Sequence, residues 1–293
     1  MIGASFLFAL MGVCVKLAAE QYSAGEMVLY RSLVGLLAMA AVMRWQGIAW
    51  RTPVPAMHFW RSASGTTALC MWFYAIAGLP LATAMTLNYM SSVWIALFIV
   101  GGAVLMGGQR GPDGRLIAAV LAGFVGVALV LRPTIGVDQL WHGAVGLGSG
   151  MLAAVAYLQV TALGRVGEPG SRVVLYFSIS GVLMGAGLAA AMGGLHAHDA
   201  RGALLLVAIG LLATAAQWMM TQAYATGGTL GIAALQYLGI GFSFVFGVWL
   251  FKDAITTMAL AGMVLIVAAG VVATMLRATK IPRSESIAPP TQT

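Results

Sequence analysis

Two matched pairs of polar side chains stand inside otherwise apolar stretches of this sequence. Asn88 and Tyr89 form the first pair, and Gln236 and Tyr237 form the second pair in the other half of the chain. Amide and phenol groups both donate and accept hydrogen bonds, so the four together suit a small polar or zwitterionic ligand. Within a membrane such groups often mark a functional site, although they also join helices structurally.

A second group of candidates is mainly aromatic. Trp72 and Tyr74 precede the first polar pair, and Trp218 and Gln222 precede the second. These side chains can form the wall of a binding site around a ring or an aliphatic chain. The alternatives are an aromatic belt at the membrane surface or ordinary packing between helices.

Two cations complete the candidate site. Lys16 and Arg31 lie inside apolar stretches, where either can attract a substrate carboxylate. Lys16 can instead pair with Glu20 one helical turn later. Ser23 and Glu26 have the spacing of a capping box, which predicts that a helix begins there and gives Glu26 a local structural role.

The composition requires a membrane around these residues. The chain is 61% hydrophobic and only 8% charged, whereas soluble domains carry roughly 25% charged residues. Continuous apolar runs of about 20 residues predict spanning helices and exclude the alternating pattern of barrel strands. We predict an all-α integral membrane protein with ten spans, near 2–20, 25–44, 57–77, 81–104, 115–132, 143–163, 172–192, 203–225, 229–251 and 257–276.

The two halves of the chain resemble each other weakly but in a consistent order. Residues 75–89 resemble residues 223–237, and each segment leads into a glycine-rich helix, a short polar turn and a further helix. Five spans is an odd number, so the second copy is inverted in the membrane and the substrate site is expected near the midplane between the copies. We predict two inverted five-helix repeats, 1–132 and 133–277, followed by a disordered cytoplasmic tail, 278–293.

Charge and cysteine content limit the possible partners. The net charge of +7 follows the positive-inside rule if both termini are cytoplasmic, which predicts a multi-pass protein of the bacterial inner membrane rather than a nucleic-acid-binding protein. Cys14 and Cys70 both fall inside predicted spans, so neither a disulfide nor a metal site is expected. No cofactor is expected.

No Asp or Glu falls in the middle of a predicted span. Since carboxylates commonly relay protons in transporters, a transporter of this sequence is expected to be a facilitator or an exchanger. The same absence argues against a bare cation as substrate, because no acidic group would neutralise its charge.

The chain resembles the EamA-type, ten-helix branch of the drug/metabolite transporter superfamily over about residues 1–277. The resemblance rests on Lys16 at the end of FALMGVCVK, on Arg31 in EMVLYR, and on the 79–84 turn followed by Tyr89 and Ser91. It also includes the late Gly-Val pairs at 126–127 and 270–271.

The resemblance implies a central cavity lined by helices 1, 3, 4, 6, 8 and 9, with Tyr157 and Gln159 of helix 6 as additional candidates. Family members move amino acids, other small metabolites, nucleotide-derived compounds or vitamins. A cavity with amides, hydroxyls and cations but no buried acid fits zwitterions, so amino-acid export is the favoured function. The expected partners are a small-molecule substrate and the lipid bilayer, with the protein a monomer or a weak homodimer.

Three alternatives remain open from the sequence. The protein could take up a larger metabolite such as S-adenosylmethionine or riboflavin, since nothing in the sequence encodes direction. It could be a membrane-embedded enzyme, although it has no HExxH, no GxSxG and no in-span histidine beside a nucleophile. It could also be a structural subunit, which would not need matched polar pairs.

Overall fold

The structure is a computed structural model that describes residues 1–105, 114–115, 118, 121–123, 125–126, 129, 139–226, 235–236, 238–253 and 256–278. These residues form ten helices. They are α1 (Ile2–Ala18), α2 (Ala24–Gln46), α3 (Pro55–Gly78), α4 (Leu81–Tyr89), α5 (Ser91–Leu105), α6 (Leu140–Arg165), α7 (Gly170–Ala191), α8 (Ala200–Thr226), α9 (Leu238–Phe251) and α10 (Thr257–Ala278).

Among the described residues the helices follow the predicted spans with one difference, and the first part of the ninth predicted span, 229–234, lies outside those residues. The fourth predicted span is two helices, α4 and α5, separated at Met90. The fifth predicted span, 115–132, lies largely outside the described residues, and the predicted tail lies outside them from residue 279. The described chain is all-helical, and α2, α6, α7 and α8 are each long and apolar enough to cross a membrane. This is the architecture of a multi-pass α-helical membrane protein.

Local sequence explains where α2 begins and ends. The Ser23 hydroxyl accepts a hydrogen bond from the Glu26 backbone N–H, and the Glu26 carboxylate accepts one from the Ser23 N–H. The predicted capping box is therefore confirmed. At the other end Gly47 adopts a left-handed conformation with φ of 66°, which glycine reaches without strain and which ends the helix.

Small residues bring helices into close contact at two GxxxG positions. A Cβ at Gly150 of α6 would lie 2.5 Å from the Leu87 carbonyl oxygen of α4, and one at Gly185 of α7 would lie 2.5 Å from the Leu29 backbone nitrogen of α2. These approaches are possible only without a side chain, so the GxxxG pairs Gly146/Gly150 and Gly181/Gly185 have a packing role. The sequence has a third such pair, Gly227/Gly231, which lies outside the described residues.

Side-chain contacts identify which helix ends share one end of the bundle. At the first end, Lys16 near the end of α1 reaches the Leu79 carbonyl after α3 and Asp253 after α9. Glu26 at the start of α2 contacts His196 between α7 and α8. There α1, α3, α7 and α9 end, while α2, α4 and α8 begin. Consequently α2 and α7 run in opposite directions, as do α3 and α8, and α4 and α9.

A carboxylate–imidazole pair lies at each end of the bundle. At the first end, Glu26 Oε2 lies 2.6 Å from Nδ1 of His196. At the second end, Glu168 Oε2, just before α7, lies 3.0 Å from Nε2 of His58 in the first turns of α3. The first pair connects α2 with the segment before α8, and the second pair connects α3 with the segment before α7.

The Glu168 pair is expected to make the stability of the protein sensitive to acid. Burial alone would raise the pKa of the Glu168 carboxyl, but hydrogen bonds from His58, Thr52 and Arg172 outweigh it and lower the pKa below its ordinary value of 4.5. A lowered pKa means that the ionised form stabilises the fold at neutral pH. That contribution is complete above pH 4.5 and is lost as the pH falls through the folded-state value.

We expect the melting temperature of the purified protein to fall as the pH drops below about 4.5. The Glu168→Gln variant should melt lower than wild type at pH 7, and the gap between the two melting temperatures should narrow as the pH falls below 4.5. Exposed Glu20 supplies the control, since Glu20→Gln should follow the wild-type curve. Melting curves from pH 7 to 3.5 test this, and a constant gap between Glu168→Gln and wild type would contradict it.

Candidate functional site

A buried cavity of about 50 Å³ lies among the helices. Its walls come from α1, α2, α3, α4, α6, α7 and α8. The helices α2 and α7 are not among the cavity-lining helices that the resemblance implies. Among the described residues α9 contributes none. A water molecule needs roughly 10–15 Å³ of such space, so the cavity has room for a few waters and must widen for a metabolite. It is lined by Phe8, Arg31, Arg61, Gly65, Ala68, Leu69, Trp72, Asn88, Tyr89, Ala153, Ala156, Tyr157, Phe177 and Gln217.

Two arginines dominate the chemistry of this cavity. Arg31 of α2 and Arg61 of α3 are 5% and 2% exposed. Their guanidinium carbons lie 5.1 Å and 4.4 Å from the ring centre of Phe177 on α7, as cation–π contacts. Gly65, one turn after Arg61, leaves room for the guanidinium, because a Cβ there would contact Nη1.

Most of the unpaired polar atoms around the cavity are hydrogen-bond donors. Arg31 Nε, Arg61 Nε and Nη1, Trp72 Nε1 and Gln217 Nε2 are buried without a partner among the described residues, as is the Tyr89 hydroxyl. A nearby contact of 3.5 Å joins Arg31 Nη2 to the Gln217 amide oxygen. Buried donors without partners are costly, so this clustering favours a ligand rich in acceptors.

The predicted amides lie at the cavity and directly behind it. Asn88 lines the cavity and donates a 3.1 Å hydrogen bond to the Ser149 hydroxyl of α6. Gln236 lies behind Tyr157, whose hydroxyl hydrogen-bonds it. Gln236 also accepts a 3.2 Å bond from the Tyr224 hydroxyl, and Tyr224 stacks on Tyr157. The network connects the cavity wall on α6 with the region before α9.

The sequence-predicted site residues divide into two sets. Arg31, Trp72, Asn88, Tyr89 and Tyr157 are brought together around the cavity. The remaining residues are placed elsewhere or lie outside the described residues, and the next paragraphs give their positions.

Besides Lys16 and Gln236, four of the described candidates do not line the cavity. Tyr74 stacks on His142 at 4.5 Å near the start of α6. Trp218 is 37% exposed on α8, and Gln222 is exposed beside Gly170. Gln159 accepts a hydrogen bond from Ser64. Tyr237 lies outside the described residues.

Lys16 forms an ion pair at the first end of the bundle. Its Nζ lies 3.2 Å from Oδ1 of Asp253 and 4.8 Å from the ring centre of Phe251. Asp253 Oδ2 in turn accepts a 3.0 Å hydrogen bond from the Leu81 backbone N–H at the start of α4. Lys16 therefore pairs across the fold with Asp253 rather than along its own helix with Glu20, and it connects α1, α4 and the end of α9.

Arg61 and Gln217 were not among the predicted site residues. Arg61 lies close to the predicted start of its span, where a positive charge is typical of a cytoplasmic connection. A signal was present in the spacing, since Arg61, Gly65, Ala68 and Trp72 recur at intervals of three or four residues and so share one helix face. Gln217 had no distinguishing local pattern.

Comparison with known proteins gives the family. The chain is 33% identical over 273 residues to the pseudopaline exporter CntI of Pseudomonas aeruginosa strain UCBPP-PA14, covering 91% of each chain. The chain belongs to this family of membrane transporters. CntI from strain PAO1 matches to the same extent. The transporter is also 25% identical over 276 residues to an uncharacterized transporter of Helicobacter pylori strain J99, covering 91% of this chain and 90% of the relative.

The remaining comparisons bear on the fold. A solved crystal structure superimposes on the transporter with a TM-score of 0.68 and 18% sequence identity, covering 94% of this chain and 96% of the other. At this identity the likeness shows a shared fold alone. No family model matches the chain.

Proposed function

We propose that this transporter exports small polar metabolites of the amino-acid class from the bacterial cytoplasm, with Arg31 and Arg61 binding the substrate carboxylate. The observation that carries the proposal is the buried cavity with two arginines and a cluster of unpaired hydrogen-bond donors. Ionisable groups inside a membrane protein are costly, and they commonly mark substrate pathways. Relatives named as exporters support the outward direction.

The proposed mechanism is alternating access between two inverted repeats, 1–132 and 133–277, of EamA type. The opposite directions of corresponding helices support this arrangement, because an inverted repeat requires them. The two glutamate–histidine pairs also support it. Glu26 at the start of α2 pairs with His196 before α8 at one end of the bundle, and Glu168 before α7 pairs with His58 at the start of α3 at the other end. Under this proposal each end opens in turn while the other end stays sealed.

The Lys16–Asp253 pair seals the first end in this mechanism. It ties α1 to the start of α4 and the end of α9, so these helices cannot separate until the pair breaks. We place this end on the periplasmic side, with both termini cytoplasmic in the inner membrane. Since no Asp or Glu lines the cavity among the described residues, the proposed mode is facilitation or exchange.

Transport by reconstituted protein tests the proposed function. Proteoliposomes loaded with labelled amino acids should release them faster than protein-free liposomes, both with and without a pH gradient. Absence of flux for every amino acid would contradict the substrate class. Strict dependence on the gradient would contradict facilitation.

Variants of Asn88 and of its partner Ser149 distinguish a substrate-binding role of Asn88 from a structural one. Asn88→Leu and Ser149→Ala both remove the same 3.1 Å hydrogen bond between α4 and α6, which costs about 1 kcal/mol of stability in either variant. If Asn88 binds substrate, Asn88→Leu should lower flux at least tenfold more than Ser149→Ala. Equal flux in the two variants would show that the amide only joins the helices.

A further inference from the structure

The cavity carries a charge imbalance that a simple zwitterion does not correct. Arg31 and Arg61 both contact Phe177, so their guanidinium groups are no more than about 10 Å apart and repel each other in this apolar interior. Among the described residues no Asp or Glu lines the cavity. An amino acid with a neutral side chain brings one carboxylate and one ammonium, which leaves the sum of charges at the site unchanged.

The other acids of the described chain are already engaged or distant. Glu26 and Glu168 pair with histidines at opposite ends of the bundle, and Asp253 pairs with Lys16. Asp199 caps α8 through the Gly202 N–H, and Glu20 is exposed. No acid among the described residues neutralises the two desolvated guanidiniums, and we assign this role to the ligand.

The neutral groups around the arginines favour the same kind of ligand. Trp72 Nε1 and Gln217 Nε2 can only donate hydrogen bonds, and neither has a partner in the part of the chain that the structure describes. An ammonium group needs acceptors, and the charged acceptors that bind it best are lacking among the described lining residues. Carboxylates accept from guanidinium, indole and amide N–H groups alike, and guanidinium binds them in a planar, paired geometry.

We infer that the substrates are acidic metabolites with at least two carboxylates, one bound by Arg31 and the other by Arg61, with their carbon chain against Phe177 and Trp72. This inference rests on the proposed function and narrows its substrate class from amino acids in general to dicarboxylic compounds, including acidic amino acids. Two arginines on separate helices provide two anchoring points, so an acid group at each end of a short chain satisfies both.

Binding to the full-length, detergent-purified protein tests the inference with four probes. Glutamate and glutarate carry two carboxylates, glutamine is the near-isosteric compound with one, and O-phosphoserine replaces the second carboxylate by phosphate. Glutamate and glutarate should raise the melting temperature at concentrations at least tenfold lower than glutamine. Glutamine binding as tightly as glutamate, or tighter binding of O-phosphoserine, would overturn the inference.

Single arginine variants locate the two carboxylates. Arg31→Gln and Arg61→Gln should each weaken glutamate binding at least tenfold and reduce the preference for glutamate over glutamine to less than threefold. Arg201→Gln, at an exposed position at the start of α8, should leave both unchanged. A preference that survives loss of either arginine would overturn the assignment.

Flux measurements with reconstituted protein distinguish failure of this inference from failure of the proposed function. Flux of neutral amino acids equal to that of glutamate would leave an amino-acid exporter but end the dicarboxylate assignment. No flux of any of these compounds would end the proposed function itself.

Discussion

Replacing Arg61 with glutamine is expected to abolish transport while raising the melting temperature of the ligand-free protein. Arg61 is 2% exposed, and its Nε and Nη1 find no hydrogen-bond partner within the described ranges of the chain. Removing a buried charge without a counter-charge relieves a desolvation cost of several kcal/mol, offset only in part by the lost contact with Phe177. Loss of one partner of a buried ligand charge pair costs about 2–5 kcal/mol, so flux at limiting substrate should fall at least about 30-fold.

The combination of the two effects separates a binding residue from a structural one. If Arg61 stabilised the fold, the variant would melt at a lower temperature and lose activity because less protein is folded. Proteoliposome flux and melting curves on the same preparations of wild type, Arg61→Gln and the exposed control Arg201→Gln make the comparison. A lower melting temperature for Arg61→Gln with flux per folded molecule unchanged would contradict the binding role.

Breaking the Lys16–Asp253 pair is expected to destabilise the protein and to lower its flux. The two side chains are 20% and 11% exposed, so loss of one partner leaves the other charge poorly hydrated. Lys16→Met and Asp253→Asn should each lower the melting temperature by several degrees, since about 1 kcal/mol corresponds to roughly 2–4 °C in a protein of this size. Flux should fall because the first end of the bundle no longer seals.

A double-mutant cycle isolates this pair. The Lys16→Met/Asp253→Asn double variant should melt higher than the sum of the two single effects predicts, because it leaves no unpaired charge. Lys252 is the neighbouring exposed lysine, so Lys252→Met supplies the control and should resemble wild type. Additive losses in the double variant would show that Lys16 and Asp253 do not interact.

Much of the fold was predictable because the bilayer restricts it. Apolar runs located the helices, and Ser23 with Glu26 located the start of α2 through a local hydrogen-bond pattern. The interruption at Met90 was not predicted, since residues 81–100 contain no proline, glycine or charged residue. Thr86 lies shortly before it and donates to the Ala82 carbonyl, and such back-bonding bends helices.

The site was only partly predictable, because its chemistry depends on which helix faces meet. Arg31 and Asn88 were identified by position within a span, and both line the cavity. Arg61 was missed because it lies near the predicted start of its span, where a positive charge is typical of a cytoplasmic connection. The partner of Lys16 was likewise hidden, since Asp253 is far away in sequence and only tertiary packing brings the two together.

The glutamate–histidine pairs show a similar limit. Gly25-Glu26 and Gly167-Glu168 occupy corresponding places before or at the start of α2 and α7, but two residues are too short a match to establish a repeat. Their partners, His196 and His58, precede or begin α8 and α3 and are recognisable only from the contacts. Pairwise geometry of this kind depends on the packing of distant segments, which local sequence patterns do not encode.

The proposed mechanism depends most on substrate binding between Arg31 and Arg61. An experimental structure of the protein at saturating glutamate tests this directly. We expect ligand density beside Phe177, with carboxylate oxygens within about 3 Å of both guanidinium groups and the cavity wider than its present 50 Å³. Glutamate bound elsewhere, for example at Lys16 and Asp253, with the arginine cavity unoccupied, would contradict it.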